Sequence, residues 1–337
     1  MAKTVLITGA TGFIGRSLAL RLAAAGLKVR CLAHSGSDTG ALKAAGLDCV
    51  EGDLLDKASL ERAAAGAAEV WHLGALVRPR EFIIRRSALE ERFMAVNALG
   101  TENMARAAAA AGPARFIYFS SISAGGPGVK REEDKPRPLT AYGRSKLAGE
   151  VSLRRAAAET GLDFVIVRPA MIYGPGAQRW EGLFKIIRNG LVPVPGSGDY
   201  TLAVCWLENL IDGALLAAEK GTSGSVFNIS EEPITLNALM ALAAGLLKVK
   251  PVFIRVPAAL LGPLVKLADR GLGLFGIGAL GLSAPGLNFL ADYGCFLEAT
   301  SSWALDTSKL RALGWKPALT TAGAFAATLK KSGVSLP

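Results

Sequence analysis

The sequence predicts an α/β chain, built either as one large α/β unit with an appended lobe or as two domains. Three observations carry this. The apolar run Thr4–Thr8 passes into a glycine-rich turn and then an Ala/Leu-rich stretch to about Ala25, which reads as strand, turn and helix. Further short apolar runs at 28–34, 69–75, 115–119 and 162–169 read as strands. The chain has 337 residues, of which 51% are hydrophobic and 20% charged, so it can bury a large core and is poorly suited to disorder.

The net charge of +10 favours anionic ligands or surfaces, such as a phosphorylated cofactor or acidic lipid. The plainer alternative is an arginine-rich surface with no such partner. The arginines are scattered and form no aromatic-interleaved basic stripe, so nucleic acid is not an expected partner. Cys31, Cys49, Cys205 and Cys295 are far apart and form no Cys-x-x-Cys, and they read as buried thiols of a reducing compartment. His34 and His72 are the only histidines and lack a matching cysteine or carboxylate cluster, so no metal site is expected. The amino terminus lacks the charged-then-apolar pattern of a signal peptide. The expected location is cytoplasmic, with membrane association left open.

In the first strand–turn–helix unit, Gly9, Gly12 and Gly15 sit three apart. Such a turn sets backbone N–H groups and a helix dipole against a phosphate, and the missing Cβ atoms let a pyrophosphate approach closely. Thr8-Gly9-Ala10-Thr11-Gly12-Phe13-Ile14-Gly15 resembles the cofactor loop of the extended short-chain dehydrogenase/reductases. The resemblance implies a doubly wound parallel (Rossmann) sheet with a smaller, mostly helical carboxyl-terminal lobe, and NAD or NADP as cofactor. It implies a dinucleotide-binding domain over 1–175, with 203–229 returning to it, and a substrate lobe over 176–337. The expected cofactor contacts in the loop are Gly9, Thr11, Gly12, Phe13, Ile14 and Gly15.

In a dinucleotide fold, an acidic residue at the end of the second strand would bind the adenosine ribose hydroxyls. Ala33 occupies that place, with Arg30 and His34 nearby. A carboxylate repels a 2′-phosphate and a cation attracts it, so NADP is favoured over NAD, with Arg30 and His34 as candidate contacts. His34 also reads as an exposed turn residue. Gly52-Asp53-Leu54 matches a family segment that receives the adenine amino group, which makes Asp53 and Leu54 candidates; alternatively Asp53 caps the next helix. His72-Leu73-Gly74-Ala75 resembles the family's His-Leu-Ala-Ala, which lines the ribose and pyrophosphate. Leu73, Gly74 and Ala75 are therefore candidates, although Gly74 replaces the usual alanine, and His72 reads as a core histidine. Residues 78–92 mix arginines with Glu81, Glu90 and Glu91 and read as a solvated face flanking the substrate entrance. Asn97 matches a family position that supports the sheet and the active-site helix.

Tyr142 and Lys146 stand four apart, so on a helix they share a face. An ammonium beside a phenol favours phenolate, and such a pair can exchange a proton with an alcohol oxygen. The pair alone also fits a lysine packed over a tyrosine. The strand 115–119 ends in Ser120-Ser121-Ile122-Ser123, where ligands bind in open α/β folds. In the family the catalytic hydroxyl falls on the second serine, and the tyrosine follows at the spacing seen here, 21 residues on. Ser121, Tyr142 and Lys146 are thus the expected catalytic residues, with Tyr142 and Lys146 also touching the cofactor and Ser123 as the substitute serine. Arg168-Pro169-Ala170 resembles the family's crossing into the substrate lobe, where backbone groups meet the nicotinamide; Pro169 is a candidate contact.

Nucleotide-sugar epimerases of this family usually carry Thr-Arg-Asp where this chain has Thr201-Leu202-Ala203. Losing an arginine that grips diphosphate bidentately argues against a nucleotide-sugar substrate, although Arg179 or Arg188 could serve instead. From Val256 to Ala291 the chain is strongly apolar. Gly271 to Ala291 carries no charge but holds six glycines and Pro285. An apolar pocket or lid is the leading reading of this stretch, ahead of peripheral membrane contact through 256–291 and of a membrane span.

The resulting expectation is an NAD(P)-dependent oxidoreductase that interconverts a hydroxyl and a ketone on an apolar small molecule, of sterol or dihydroflavonol type. The alternatives are a nucleotide-sugar 4-epimerase or dehydratase with tightly bound NAD, and a non-catalytic NADP-binding sensor. The resemblance leaves a homodimer open.

Overall fold

The computed structural model describes residues 3–77, 83–112, 115–274, 277–280 and 292–331. The first half runs β1 (Thr4–Thr8), α1 (Phe13–Ala24), β2 (Lys28–Ala33), α2 (Gly40–Ala44), β3 (Asp48–Glu51), α3 (Lys57–Ala64), β4 (Glu69–His72), β5 (Ile83–Arg85), α4 (Arg86–Met94), a π-helical turn (Ala95–Leu99), α5 (Gly100–Ala110) and β6 (Arg115–Phe119). There follow α6 (Ile122–Gly125), β7 (Gly128–Lys130), α7 (Ala141–Thr160), β8 (Phe164–Pro169), β9 (Met171–Tyr173), α8 (Gln178–Arg188), β10 (Leu191–Pro195), β11 (Thr201–Leu202), β12 (Val204–Trp206), α9 (Leu207–Lys220), β13 (Val226–Ile229), β14 (Ile234–Thr235) and α10 (Leu236–Leu246). The last described elements are β15 (Val252–Val256), α11 (Ala258–Leu274), β16 (Ile277–Leu280), α12 (Tyr293–Thr300), β17 (Trp303–Leu305), α13 (Ser308–Ala312) and α14 (Thr321–Lys331).

Seven strands form one parallel sheet in the order β13-β8-β6-β4-β1-β2-β3. The chain winds outward from β1 to β3 and then returns to the other side of β1 with β4. The strand order reverses between β1 and β4, and a crevice opens at the carboxyl ends of strands at such a reversal. Successive strand residues face opposite ways, and both faces are apolar. Val5, Ile7, Trp71, Ile117 and Val165 belong to one buried layer, and Leu6, Val70, Phe116, Tyr118 and Ile166 to the other. A third apolar cluster draws on residues from Tyr173 to Leu329, and in it the Tyr173 and Phe325 rings lie 4.4 Å apart.

α7 starts at Thr140, whose hydroxyl accepts from the Gly143 N–H at 3.1 Å, and ends at Gly161, in the left-handed conformation with φ 72°. Two glycines let this helix sit unusually close to its neighbours. A Cβ on Gly149 would collide with the Tyr118 hydroxyl and come within 2.5 Å of the Asn97 carbonyl oxygen. A Cβ on Gly143 would come within 2.5 Å of the Ser123 carbonyl oxygen. Gly149→Ala is therefore expected to destabilise the protein by about 1–3 kcal/mol through overpacking. Urea denaturation checks this, and wild-type stability would show that the helix can retreat from the sheet at no cost.

Candidate active site

The glycine loop closes against the next loop of the same crevice. Gly9 has φ 71°, and a Cβ there would lie 2.8 Å from the Gly74 nitrogen. A Cβ on Gly15 would strike the Gly9 carbonyl oxygen. Three elements thus meet backbone to backbone at the start of α1, leaving first-turn N–H groups of α1 free to face an anion. The departure at Gly74 has a packing cause. A Cβ there would be 3.0 Å from Thr8 Oγ1 and 3.1 Å from Leu54 Cδ1, tighter than these neighbours tolerate unmoved. Leu73 and Ala75 flank Gly74 on this loop, and the Leu73 N–H donates to the Thr8 carbonyl at 3.2 Å.

At the ends of β2 and β3, His34 Nε2 lies 3.3 Å from Asp53 Oδ2, and both side chains are largely exposed. Asp53 also accepts the Leu55 N–H at 2.9 Å. The cap of α3 is Asp56, which accepts from Ala58 and Ser59, so Asp53 is not committed to that helix. Arg30, the other candidate for a 2′-phosphate, is engaged elsewhere in this structure. Its Nε donates to Asp48 Oδ2 at 3.2 Å, and its Nη1 donates to the Ala63 and Ala65 carbonyls at 2.7 and 2.9 Å. Arg30 lies opposite Asp48, the first residue of β3, and is drawn to the carboxyl end of α3, where helix carbonyls lack partners.

Tyr142 and Lys146 occupy the first two turns of α7. Tyr142 is half-buried, with its ring edge-on to Phe93 at 6.2 Å, and Leu76, Ala88, Leu89 and Ala141 complete an apolar cluster around it. Lys146 is buried, with Nζ 4.3 Å from the Tyr118 ring centroid. Burial lowers its pKa to about 7, and the Glu150 carboxylate pulls in the opposite direction. Ser121 is the amino-terminal cap of α6, its hydroxyl accepting the Ser123 N–H at 3.2 Å. The tight seat of Gly143 against the Ser123 backbone brings this serine loop to the start of α7. Pro169 is the buried last residue of β8, and the next N–H, from Ala170, donates to the Ile229 carbonyl at 3.0 Å.

Asn97 ties these parts together. Its Oδ1 accepts the Leu76 N–H at 2.7 Å, and its Nδ2 donates to the Leu76 carbonyl at 2.9 Å and to Ser145 Oγ at 2.8 Å. Ser145 in turn donates to the Tyr142 carbonyl at 2.8 Å. Asn97 sits in the π-helical turn, a local widening often found at functional sites.

His72 is wholly buried between two threonines, with Nδ1 2.7 Å from Thr8 Oγ1 and Nε2 3.0 Å from Thr101 Oγ1. Thr8 Oγ1 also accepts the Gly74 N–H at 2.9 Å, so the histidine supports the Gly74 loop through Thr8. Burial, and secondarily the Lys146 charge, lowers its pKa to about 3.

Sequence reasoning missed Glu150, Arg168 and Arg16. Arg168 grips Glu150 at two points, 2.8 and 2.7 Å, and Ser120 Oγ donates to Glu150 Oε1 at 2.5 Å. The available signal was Glu150, one turn beyond Lys146 on the same face. Arg16 follows the third glycine directly. Its Nη2 donates to the Thr11 carbonyl at 3.4 Å, and its buried Nε has no hydrogen-bond partner. A glycine cradle closed to any Cβ, a helix start above it and an unspent guanidinium donor beside it fit a dinucleotide pyrophosphate.

Residues 5–230 match the NAD dependent epimerase/dehydratase family. The ceramide reductase of Caulobacter vibrioides is 33% identical over 256 residues, covering 75% of this chain and 73% of that protein. The 4-hydroxy-2-methyl-3-oxo-4-farnesyl-3,4-dihydroquinoline-1-oxide ketoreductase of Stigmatella aurantiaca is 30% identical over 244 residues, covering 70% and 71%. The UDP-glucose 4-epimerase of Thermotoga maritima, solved with UDP-glucose, shares the fold at 22% identity with a TM-score of 0.74, covering 97% and 98%. The chain therefore belongs to the NAD-dependent epimerase/dehydratase family. It is an enzyme of the extended short-chain dehydrogenase/reductase type.

The pKa of His72 gives a directional prediction. Its ordinary value is 6.5 and its folded value about 3, so between these the unfolded chain takes up a proton that the native protein refuses. The stability contributed by neutral His72 is complete above about 6.5 and falls as the pH drops towards 3. Urea midpoints measured across this range should fall less steeply for His72→Gln than for the wild type. Parallel curves would show that His72 does not resist protonation.

Proposed function

We propose that this enzyme interconverts a hydroxyl and a ketone on an apolar small molecule, using Ser121, Tyr142 and Lys146, with NADP(H) as the preferred cofactor. The observation that carries the reading is the apolar wall around Tyr142, built by Phe93 and Leu89 of α4. A polar sugar would leave its hydroxyls unpaired against that wall. Leu202 adds support: it stands, half-buried, at the position where nucleotide-sugar epimerases carry an arginine, and its side chain cannot grip a diphosphate. Arg188 is exposed on the last turn of α8, and the Arg179 side chain lies outside the described residues. The ceramide reductase and the farnesyl-quinoline ketoreductase named above support the same substrate class by analogy.

The bound nicotinamide supplies or removes the hydride. Tyr142 gives its phenolic proton to the nascent alkoxide on reduction and takes it back on oxidation. Lys146, when protonated, favours the phenolate and holds the nicotinamide ribose. Ser121 donates to the substrate oxygen and fixes its direction. The apolar wall excludes water, so the proton moves between Tyr142 and the substrate.

Two measurements test the reading. With a long-chain or polycyclic ketone, Tyr142→Phe should lower kcat about 10²–10⁴-fold. Undiminished turnover would remove Tyr142 from the reaction, and isomerisation of UDP-glucose with no net redox change would replace the substrate class. NADP preference rests on the missing carboxylate at the end of β2 and on His34. Calorimetry should show NADPH binding more tightly than NADH, with His34→Ala costing about two- to fivefold for NADPH alone. Tighter binding of NADH to the wild type would reverse the cofactor reading.

A further inference from the structure

The long apolar stretch after Val256 does not fold wholly inward. α11 is anchored on one side: Val265 is buried, and a Cβ on Gly262 would touch the Phe296 ring of α12 at 3.2 Å. Its other side is bare leucine. Leu260, Leu264 and Leu267 are 67%, 64% and 69% exposed. At about 100° per residue they lie within about 60° of one another, forming one ridge along the helix. Just before α11, Val252 and Ile254 of β15 are also exposed.

The charges of this stretch are mostly positive. Between Leu236 and Ala291 the chain carries Lys248, Lys250, Arg255, Lys266 and Arg270 against the single acid Asp269. On α11 the exposed Lys266 and Arg270 begin about 60° to one side of the leucines, and Asp269 points the opposite way. Leucines that project from the surface, bordered by cations and free of acids, match the boundary between acyl chains and anionic headgroups. A second copy of the chain would meet the same cations on its own ridge. Among the described residues, no helix is long and apolar enough to cross a membrane, which leaves contact in the interfacial plane.

We propose that the outer face of α11 docks on an anionic lipid bilayer. The surface is continuous with the active site through the backbone. α11 runs on to β16, which pairs antiparallel with β5, and β5 leads directly into α4, whose Leu89 and Phe93 wall Tyr142. Docking would therefore place that wall beside the bilayer, where an apolar substrate is dissolved. This last step rests on the substrate class proposed above, whereas the docking itself does not.

The test is co-sedimentation of the full chain with vesicles of phosphatidylcholine, with and without phosphatidylglycerol. The wild type should bind the anionic vesicles, and binding should weaken as salt is raised. Leu260→Glu/Leu264→Glu/Leu267→Glu should lose about tenfold or more in partitioning, and Lys266→Glu/Arg270→Glu should lose the preference for phosphatidylglycerol. Unchanged thermal unfolding and cofactor binding would show that both variants fold. No binding by the wild type, or equal binding by the triple variant, overturns the proposal. So does a wild-type dimer in light scattering that the leucine substitutions dissolve, which would make the ridge a self-association face. Vesicle binding with no turnover of any apolar ketone would keep the docking surface and reject only the substrate class.

Discussion

The buried ion pair between Glu150 and Arg168 is the contact on which the candidate site depends. It joins three elements at one point: α7 through Glu150, β8 through Arg168, and the end of β6 through Ser120. Both charged side chains are almost fully hidden from solvent, at 3% and 7% exposure. Losing either partner would strand the other charge in a medium that solvates it poorly, at a cost of about 3–5 kcal/mol. The fork geometry admits one relative placement of helix and strand. That placement holds Tyr142 and Lys146 over the serine loop, and the carboxylate opposes the loss of charge that burial imposes on Lys146.

Around this anchor, side chains that perform no chemistry transmit position. The amide of Asn97 holds both backbone groups of Leu76, and through Ser145 it fixes the carbonyl of Tyr142. His72 supports the Gly74 loop through Thr8. The crevice where a dinucleotide fits and the helix bearing the tyrosine are thus tied together through buried, hydrogen-bonded side chains. Such networks are costly to leave half-made and specify a single arrangement when complete.

Much of this was legible in the chain, because local rules govern it. The glycine spacing fixed the turn after β1, and the four-residue step from Tyr142 to Lys146 fixed their common helix face. The turn that carries Ser121 followed from its place after a strand, whereas the choice of that serine came from the family resemblance and its spacing to Tyr142. What was not legible depended on distant partners. Arg30 looked available for a phosphate because Ala33 stands where a carboxylate was expected, but the carbonyls it bonds belong to the end of α3. Arg168 read only as part of a strand motif, since its partner lies 18 residues earlier on another element. The stretch from Val256 suggested an enclosed pocket or lid because apolar sequence does not say which way a helix turns. The packing of Gly262 on α12 and the burial of Val265 decided that the leucines of α11 face out. The remainder of that reading, over 275–276 and 281–291, lies outside the described residues.

The ribbon made by β5 and β16 is written at two places nearly two hundred residues apart in the sequence, neither of them in the glycine loop or in α7. Its two halves can therefore diverge in descent while the reaction chemistry is inherited intact. On the function proposed above, a lineage could exchange one class of substrate for another by altering 83–94 and 258–280 together, without relearning how to hold a dinucleotide or move a proton. The ladder between the strands sets the limit on that freedom: either half can drift only as far as the other still pairs with it.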